Sequence, residues 1–392
     1  MHSDVATKAY VALHVTDMQV SISKKELLRL LARCQGVADK KSTMPVLGNV
    51  LLETVKGEGL RLAATDLFLS VSGTIPAEVT QAGSVAVGAK DLFERAKMMP
   101  EGKISIESNE NASTTLRADG QPRRYTLHGV PGADFPDLPD PEKAKPIKMS
   151  VETLSTLIAA THFSISTDET RVHLNSALLE WDDSCVRMVS TDGHRLSKIE
   201  VATDKPHPEQ SMLIPLKGIL ELKRLCEEAK SEGASDLKLA QAGPNAFFEM
   251  VGIQFSVKLV DAQFPPYQQV IPASAPNQIQ APRHTVVDAL RAVSIAASDR
   301  TGGVKLTLDK NVIRFSSESP ESGDGFDEVD VDYSGDTFTV GFNAKYLLDV
   351  LSAMDGEDLK LGISGELDPA VVTSATPREG VDHLAVVMPM RI

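Results

Sequence analysis

The stretch "MVSTDGHRLSKIEV" at residues 188–201 gathers the side chains that an acid–base site would need. Asp192 and His194 stand one residue apart, Arg195 follows, and Ser190 and Thr191 come just before. A carboxylate that orients an imidazole, which in turn activates a hydroxyl, is the chemistry of a hydrolase. Such a site also needs a nucleophile free to face the base, and donors for an oxyanion. Ser190 and Thr191 lie on the same segment as His194, too close in sequence to face it freely, and no supporting motif occurs elsewhere. The other reading is a turn whose Asp side chain accepts from backbone N–H groups. The surrounding elements decide between them.

Those elements repeat three times, at a period of roughly 126 residues, so the copies are domains rather than solenoid repeats. Each copy opens on an amphipathic helix. In the first, Ser23 and Glu26 form a capping box ahead of Leu27, Leu31, Cys34 and Ala38. In the second, Ser150 caps Leu154, Leu157, Ile158 and Thr161. In the third, Thr285 and Asp288 flank the start before Leu290, Val293 and Ala297. Alternating strands follow: "VLGNVLLETVKGEGLRLAATDLFLSVSGTI", then "HLNSALLEWDDSCVRMVSTDGHRLSKIEV", then "GGVKLTLDKNVIRFSSESPESGDGFDEVDV". Short strands ending near Val87, Ile214 and Val340 lead into second helices, "AKDLFERAKMM", "LKGILELKRLCEEAK" and "NAKYLLDVLSAM". Closing strands come from "RRYTLHGVPGADFPDL", "IQFSVKLVDAQFPPYQQVIP" and "DHLAVVMPMRI".

This alternation predicts an α+β fold with boundaries at residues 18–143, 148–272 and 282–392. Proline-rich stretches at 138–148 and 272–282 read as linkers, since proline resists both helix and ladder. Residues 1–17 have no counterpart in the other copies and read as an N-terminal extension, with Met18 as an alternative start. Within the repeat, "STDGHRL" corresponds to "ATDLFL" in the first copy and "SSESPE" in the third, which favours the turn.

Aromatic residues make up 5% of the 392, so the core is expected from Leu, Val, Ile, Ala and Met. Cys34, Cys185 and Cys226 are odd in number and fit no metal spacing, which points to buried thiols in a reducing compartment. No apolar run reaches the ~18 residues of a membrane span, and "AYVALHV" is followed by no small-residue cleavage site. A cytoplasmic protein without a cofactor is expected. The net charge of −14 excludes wholesale coating of nucleic acid, but it is unevenly spread. Residues 24–41 carry six basic against two acidic side chains, whereas 283–391 carry ten basic against nineteen acidic. A local basic surface is therefore compatible with the acidic whole.

Seven stretches in order resemble the bacterial DNA polymerase III beta subunit family of sliding clamps: "MPVLGNVLLE", "ATDL", "ADFPDL", "STDGHRL", "KLVDAQFPPY", "VGFNAKYLLDVL" and the terminal "VVMPMRI". The resemblance covers nearly the whole chain from Met18. It implies a protein with no catalytic site, in which two chains close head to tail into a ring of six similar domains. Helices line the hole and sheets form the outside. Twelve helices at ~10 Å each trace a circle about 38 Å across, and removing a helix radius of ~5 Å on each side leaves an opening near 28 Å. That is wider than duplex DNA, which would be held by topology and left free to slide. Tight phosphate binding would oppose sliding, so a modest basic lining suffices.

By the same resemblance Lys41, Lys90, Lys217 and Arg224 face DNA, with Lys24, Lys25 and Arg29 added from their place on the first helix. Val172 and His173 replace paired tyrosines of the family, which removes the expected stacking platform for single-stranded DNA. A pocket for short hydrophobic peptides is implied at Leu174, Thr191, Gly193, His194, Arg195, Leu196, Pro265 and Val270. The third copy adds Asn343, Tyr346, Leu367, Pro369, Val386, Val387, Met388, Pro389, Met390 and Arg391. Gly193 would let a peptide approach closely, the methionines suit varied ligands, and Arg195 would meet peptide carbonyls or a carboxylate. The Val residues are equally readable as a core strand. Gln269 and Thr301 stand where the family often carries Arg and an aromatic, a change at the pocket's edge.

Implied partners are double-stranded DNA, a second copy of the chain, the replicative polymerase alpha subunit, the clamp loader, repair polymerases and mismatch-repair factors. Tyr125 and Ile295 are implied at the dimer seam, where a basic first copy meets an acidic third. Two other readings stay open: a hydrolase using Asp192 and His194, and a clamp-like paralogue that binds partners outside replication.

Overall fold

A computed structural model describes residues 17–141, 144–203, 209–298, 301–320 and 322–391. The extension expected at residues 1–17 lies outside them except for Asp17. In the first copy the order is β1 (Met18–Ser23), α1 (Lys24–Gln35), β2 (Asn49–Val55), β3 (Gly59–Thr65), β4 (Leu69–Ile75), β5 (Glu78–Gln81), β6 (Ser84–Gly88), α2 (Ala89–Lys97), β7 (Lys103–Ser108), β8 (Ser113–Ala118) and β9 (Arg124–Pro131). The second copy runs β10 (Ile147–Ser150), α3 (Val151–Thr161), β11 (Ser176–Trp181), β12 (Cys185–Thr191), β13 (Arg195–Ala202), β14 (Gln210–Pro215), α4 (Leu216–Ser231), β15 (Asp236–Ala242), β16 (Asn245–Met250) and β17 (Ile253–Lys258). The third runs β18 (Asn277–Pro282), α5 (Arg283–Ser294), β19 (Gly303–Asp309), β20 (Val312–Ser319), β21 (Gly323–Asp330), β22 (Phe338–Asn343), α6 (Ala344–Ala353), β23 (Asp358–Ile363), β24 (Ala370–Ser374) and β25 (Val381–Val387).

Helix, strands, helix, strands recurs as expected, but each copy also begins with a strand that the sequence reading missed. The alternation of "MQVSIS" buries Met18, Val20 and Ile22 and was the available signal. Two of these opening strands, β10 and β18, occupy the ends of the expected linkers, because pairing with β15 and β23 satisfies their backbone groups. The capping box at Ser23 does not form, since its side chain accepts no helix N–H. Ser150 does cap α3, accepting from Thr153 N at 2.9 Å. Helix α5 starts two residues before Thr285, with Pro282 at its cap position. Ala38 and Ala297 lie past the helix ends at Gln35 and Ser294.

The chain packs as two compact units that cut across the copies. One combines residues up to Met149 with Ser231–Lys258, and the other combines Ser150–Lys230 with Leu259 onward. The first unit holds a 13-stranded sheet, in the order β10-β15-β16-β17-β4-β3-β2-β6-β9-β8-β7-β1-β5. Its central joint is the antiparallel pairing of β17 with β4, from Ile253 opposite Gly73 to Val257 opposite Leu69. Helix α1 lies against β3 and β4 and buries Leu27, Leu30 and Leu31. Gly73 suits this close packing, because a Cβ would stand 2.9 Å from Leu30 Cδ1 and 3.1 Å from Gly252 O and both would have to shift. The second unit holds an eight-stranded sheet, β14-β11-β12-β13-β25-β24-β23-β18, and a four-stranded one, β21-β20-β19-β22. Here β13 pairs with β25, from Arg195 opposite Val387 to Val201 opposite Val381.

One turn recurs in both units. After β3, Asp66 Oδ1 accepts from Phe68 N at 2.9 Å and Leu69 N at 2.6 Å, while Thr65 Oγ1 donates to Leu69 O at 2.8 Å. After β12, Asp192 Oδ1 accepts from His194 N at 2.9 Å and Arg195 N at 3.0 Å, while Thr191 Oγ1 donates to Arg195 O at 2.7 Å. The residue after each Asp has positive φ, 74° at Leu67 and 92° at Gly193. Because Asp66 is buried, Asp66→Ala strands two backbone donors. It is expected to lower stability by about 1–3 kcal/mol, with Asp66→Asn losing less because it keeps an acceptor oxygen. The urea midpoints of the two variants check this.

Candidate functional site

The β13–β25 joint fixes the site, because it carries the chain's last residues over the tip of the Thr–Asp turn. Met388 N donates to His194 O and, two residues on, Met390 N donates to Gly341 O, each at 2.8 Å. The Met390 thioether rests on β19, with Sδ and Cε 3.6 Å from the place of a Cβ on Gly303. Asn343 caps α6, accepting from Lys345 N at 3.0 Å and Tyr346 N at 3.3 Å, and donates to Thr301 O at 3.1 Å. Tyr346 in the first turn of α6 stacks on His194, with ring centroids 6.1 Å apart and planes 17° apart.

Arg195 holds these pieces together. Its side chain is buried, Nε donates to Asp192 Oδ2 at 3.1 Å, Nη1 to Asp349 Oδ2 at 2.7 Å, and Nη2 to Phe163 O. Its guanidinium also lies 4.6 Å from the Tyr346 ring centroid and 5.4 Å from that of Phe163. Three of its five N–H donors are thus engaged within the fold, so it positions the turn first, and two N–H groups remain for the peptide carbonyls expected from sequence. Burial pushes the Asp349 carboxyl up, but hydrogen bonds from Lys345 and Arg195 outweigh it and hold the group below its ordinary value. Phe163, Asp349 and Arg171 were missed by the sequence reading. The i,i+4 spacing of Lys345 and Asp349, 2.8 Å apart, was a usable signal for Asp349. Arg171 reaches Asp192 O at 3.3 Å from a loop, which no periodicity announces.

The acid–base reading fails on the same geometry. Both oxygens of Asp192 are taken by its own turn and by Arg195, and Ser190 is buried with Oγ donating to Thr161 O at 2.6 Å. Among the described residues no group of three or more His, Cys, Asp or Glu side chains is placed to hold a metal ion. Cys34 and Cys226 are buried thiols outside any disulfide among the described residues, with burial pushing Cys226 up to about 12, while Cys185 is partly exposed.

Of the remaining peptide-site residues, Val270, Leu367 and Met388 expose apolar side chains. Gly193, His194 and Arg391 are exposed, and Thr191, Pro265, Pro369, Pro389, Met390, Asn343 and Tyr346 half-buried. Pro369 precedes Ala370, which pairs with Val387 and so lies along the same edge. Leu174, Leu196, Val386 and Val387 are buried. Val386 and Leu196 pack with Val189, Leu213, Phe264 and Tyr267, and Val387 belongs to the core of the third copy. The valines are thus buried in core strands, as the strand reading has them.

The basic residues separate as well. Lys25, Lys41, Lys90 and Lys217 are exposed. Lys24 is buried, donating to Met99 O at 2.6 Å and pairing with Glu101 at 2.7 Å, so it is a structural tie rather than a surface charge. Arg29 is paired with Glu26 at 2.7 Å and Glu232 at 3.2 Å, and Arg224 with Glu221 at 2.5 Å and Glu228 at 3.4 Å. Tyr125 lies half-buried on β9, and Ile295, just past α5, is 80% exposed. No helix among the described residues is long and apolar enough to cross a membrane.

A strand–helix unit repeated three times, with exposed apolar side chains set around a braced turn, defines a repeat protein of the α+β class. The N-terminal, central and C-terminal domains of the DNA polymerase III beta subunit match residues 18–139, 148–266 and 268–391. The chain belongs to that family. It is 31% identical over 377 residues to the beta sliding clamp of Pseudomonas aeruginosa and 29% identical over 377 residues to that of Escherichia coli strain K12, covering 96% of this chain and 100% of each relative. A crystal structure of the Pseudomonas aeruginosa beta subunit superposes with a TM-score of 0.88 at 30% identity, again over 96% of this chain and 100% of that one. A griselimycin-bound clamp from the same organism gives 0.87 at 30% identity, with the same coverage of 96% and 100%.

Removing Arg195 takes one of two donors from Asp349, which keeps Lys345, and takes the Arg195 donor from the Phe163 carbonyl. Arg195→Ala is expected to lower stability by about 2–4 kcal/mol, short of a fully buried pair because Asp349 touches solvent. A carboxyl with a depressed value stabilises the fold above the unfolded value of about 3.9 and loses that contribution as pH falls through its folded value. The stability gap between the parent and Asp349→Asn, measured by urea unfolding, should therefore be full at pH 7 and close below pH 4.

Proposed function

We propose that this protein is the processivity clamp of a replicative DNA polymerase: a homodimeric ring that encircles duplex DNA and tethers partners by short hydrophobic peptides. Its three domains would span about residues 18–143, 148–272 and 282–392. The observation that carries the ring is a rule of strand pairing. In the first copy β4 pairs with the closing strand of the next copy, β17, and in the second β13 pairs with β25. The equivalent strand of the third copy, β21, ends its sheet and among the described residues pairs only with β20. The closing strand of the first copy, β9, pairs with β8 along Arg124–His128 and turns to β6 only at Gly129–Pro131.

Continuing the rule, β21 of one chain takes β9 of a second. The two edges are complementary in charge: β21 carries Asp324, Asp327, Glu328 and Asp330, and β9 carries Arg124 beside Arg123. Phe326 and Ile295 are 62% and 80% exposed beside this edge and would be covered by it. Two such joints close a ring, which removes both edges. Lys25, Lys41, Lys90 and Lys217 would supply the modest basic lining, with Arg29 and Arg224 largely neutralised by their glutamates. DNA is then held by enclosure rather than by affinity, and no step of catalysis is required. The residues around Leu367, Met388, His194 and Val270 would take the peptides of the polymerase, the clamp loader and repair factors.

Ile295→Glu is expected to convert the dimer to a monomer in sedimentation velocity. The parent, placed on nicked circular DNA by a clamp loader with ATP, should stay bound through gel filtration and be lost once the circle is cut, and the variant should never be retained. Equal retention on linear and circular DNA would rule out enclosure. For the pocket, a fluorescent Gln-Leu-x-Leu-Phe peptide should bind saturably by anisotropy, with Leu367→Ser and Met388→Ser each weakening it about tenfold. Unchanged affinity in both would place the peptide elsewhere.

A further inference from the structure

The Thr–Asp turn of the first copy has the same construction as the turn at the candidate site, and no role has been given to it. Phe68 O accepts from Lys258 N at 2.8 Å, as His194 O accepts from Met388 N at 2.8 Å. Phe68 thus stands where His194 stands, Lys258 where Met388 stands, and Leu67 where Gly193 stands. A glycine adopts positive φ freely, whereas a leucine at 74° is held in a conformation its side chain disfavours. That conformation projects the tip outward, with Leu67 50% and Phe68 63% exposed. The Lys258 ammonium lies 5.9 Å from the Phe68 ring centroid and makes no ion pair among the described residues. The one acidic side chain of the turn, Asp66, is buried and accepts from the turn's own backbone. All of these residues belong to the first compact unit.

We propose that the Leu67–Phe68 tip and Lys258 form a second docking site, for a peptide segment that carries a bulky apolar side chain next to a carboxylate. The two exposed side chains offer an apolar platform, and the adjoining charge is a single cation over an aromatic ring, complementary to one carboxylate. A nucleic acid is the less suitable occupant, since binding a strand takes several cations along its backbone. The inference rests on the turn and on Lys258, and it stands or falls independently of the peptide pocket near Met388.

The test uses the full chain and a fluorescein-labelled peptide, Gly-Ser-Asp-Leu-Phe-Asp-Ser-Gly, followed by anisotropy. Saturable binding is expected, weakened about tenfold by Phe68→Ser and by Leu67→Gly. Leu67→Gly is informative because it removes the apolar group while relieving the backbone, so misfolding does not explain a loss. Lys258→Glu should abolish binding, and a peptide with both Asp residues replaced by Lys should bind Lys258→Glu better than it binds the parent. Leu367→Ser should leave this titration unchanged while weakening the Gln-Leu-x-Leu-Phe peptide. The proposal is overturned if Leu67→Gly and Phe68→Ser bind like the parent, if Leu367→Ser removes the signal, or if labelled oligothymidine binds the tip and the peptide does not.

Discussion

A strand at the edge of a sheet leaves a row of backbone N–H and C=O groups without partners, and this constraint organises the whole chain. No copy closes its own sheets. The fourth strand position of each first half-sheet seeks the closing strand of the next copy, as β4 takes β17 and β13 takes β25. The compact units therefore do not coincide with the sequence repeats, since strands of the second copy complete the sheet of the first. The same unmet demand at β21 and along Arg124–His128 of β9 would be met by a second chain.

The joint between β13 and β25 shows how a structural solution becomes a site. Pairing through Val387 opposite Arg195 delivers Met388 to the tip of the Thr–Asp turn. The turn then has to be rigid, and a buried guanidinium makes it so by joining it to Phe163 of the second copy and Asp349 of the third. A buried cation is tolerated only when it is paired and hydrogen-bonded, and Arg195 meets that condition with two carboxylates and a carbonyl. Lys345 adds a second positive neighbour to Asp349, which keeps that carboxylate ionised even though burial works against it.

Much of this was legible in sequence because periodicity and repetition are properties of local residue order. The helices at Leu154, Leu157 and Ile158 and the alternation of β2 are read directly from spacing, and the copies reinforce one another. What escaped was set by distant partners. Lys24 and Lys25 are neighbours on one helix, yet only Lys25 faces water, because Met99 O and Glu101 lie within reach of Lys24. Ser23 matches a capping box but does not act as one, although Ser150, likewise the last residue of a strand, does cap its helix. Val386 and Val387 are a terminal apolar pair, indistinguishable by type from a pocket lining, and only their place between β13 and β24 makes them core.

The Asp–His–Arg cluster is the sharpest instance of the same separation. In sequence, three polar and charged residues within four positions suggest a reaction. In the fold, Asp192 accepts from the backbone and from Arg195, Arg195 donates across copies, and His194 lies flat on Tyr346. With Asp192 committed to the turn and to Arg195, no carboxylate of the cluster is left to orient His194 as a base. The first copy makes the point without histidine or arginine: Asp66 builds the same turn from the same bonds, and the two positions that follow are Leu67 and Phe68. What the two copies share is the turn, so the turn is what the Thr–Asp pair is for. What differs between them is the exposed tip, Gly193–His194 in one and Leu67–Phe68 in the other.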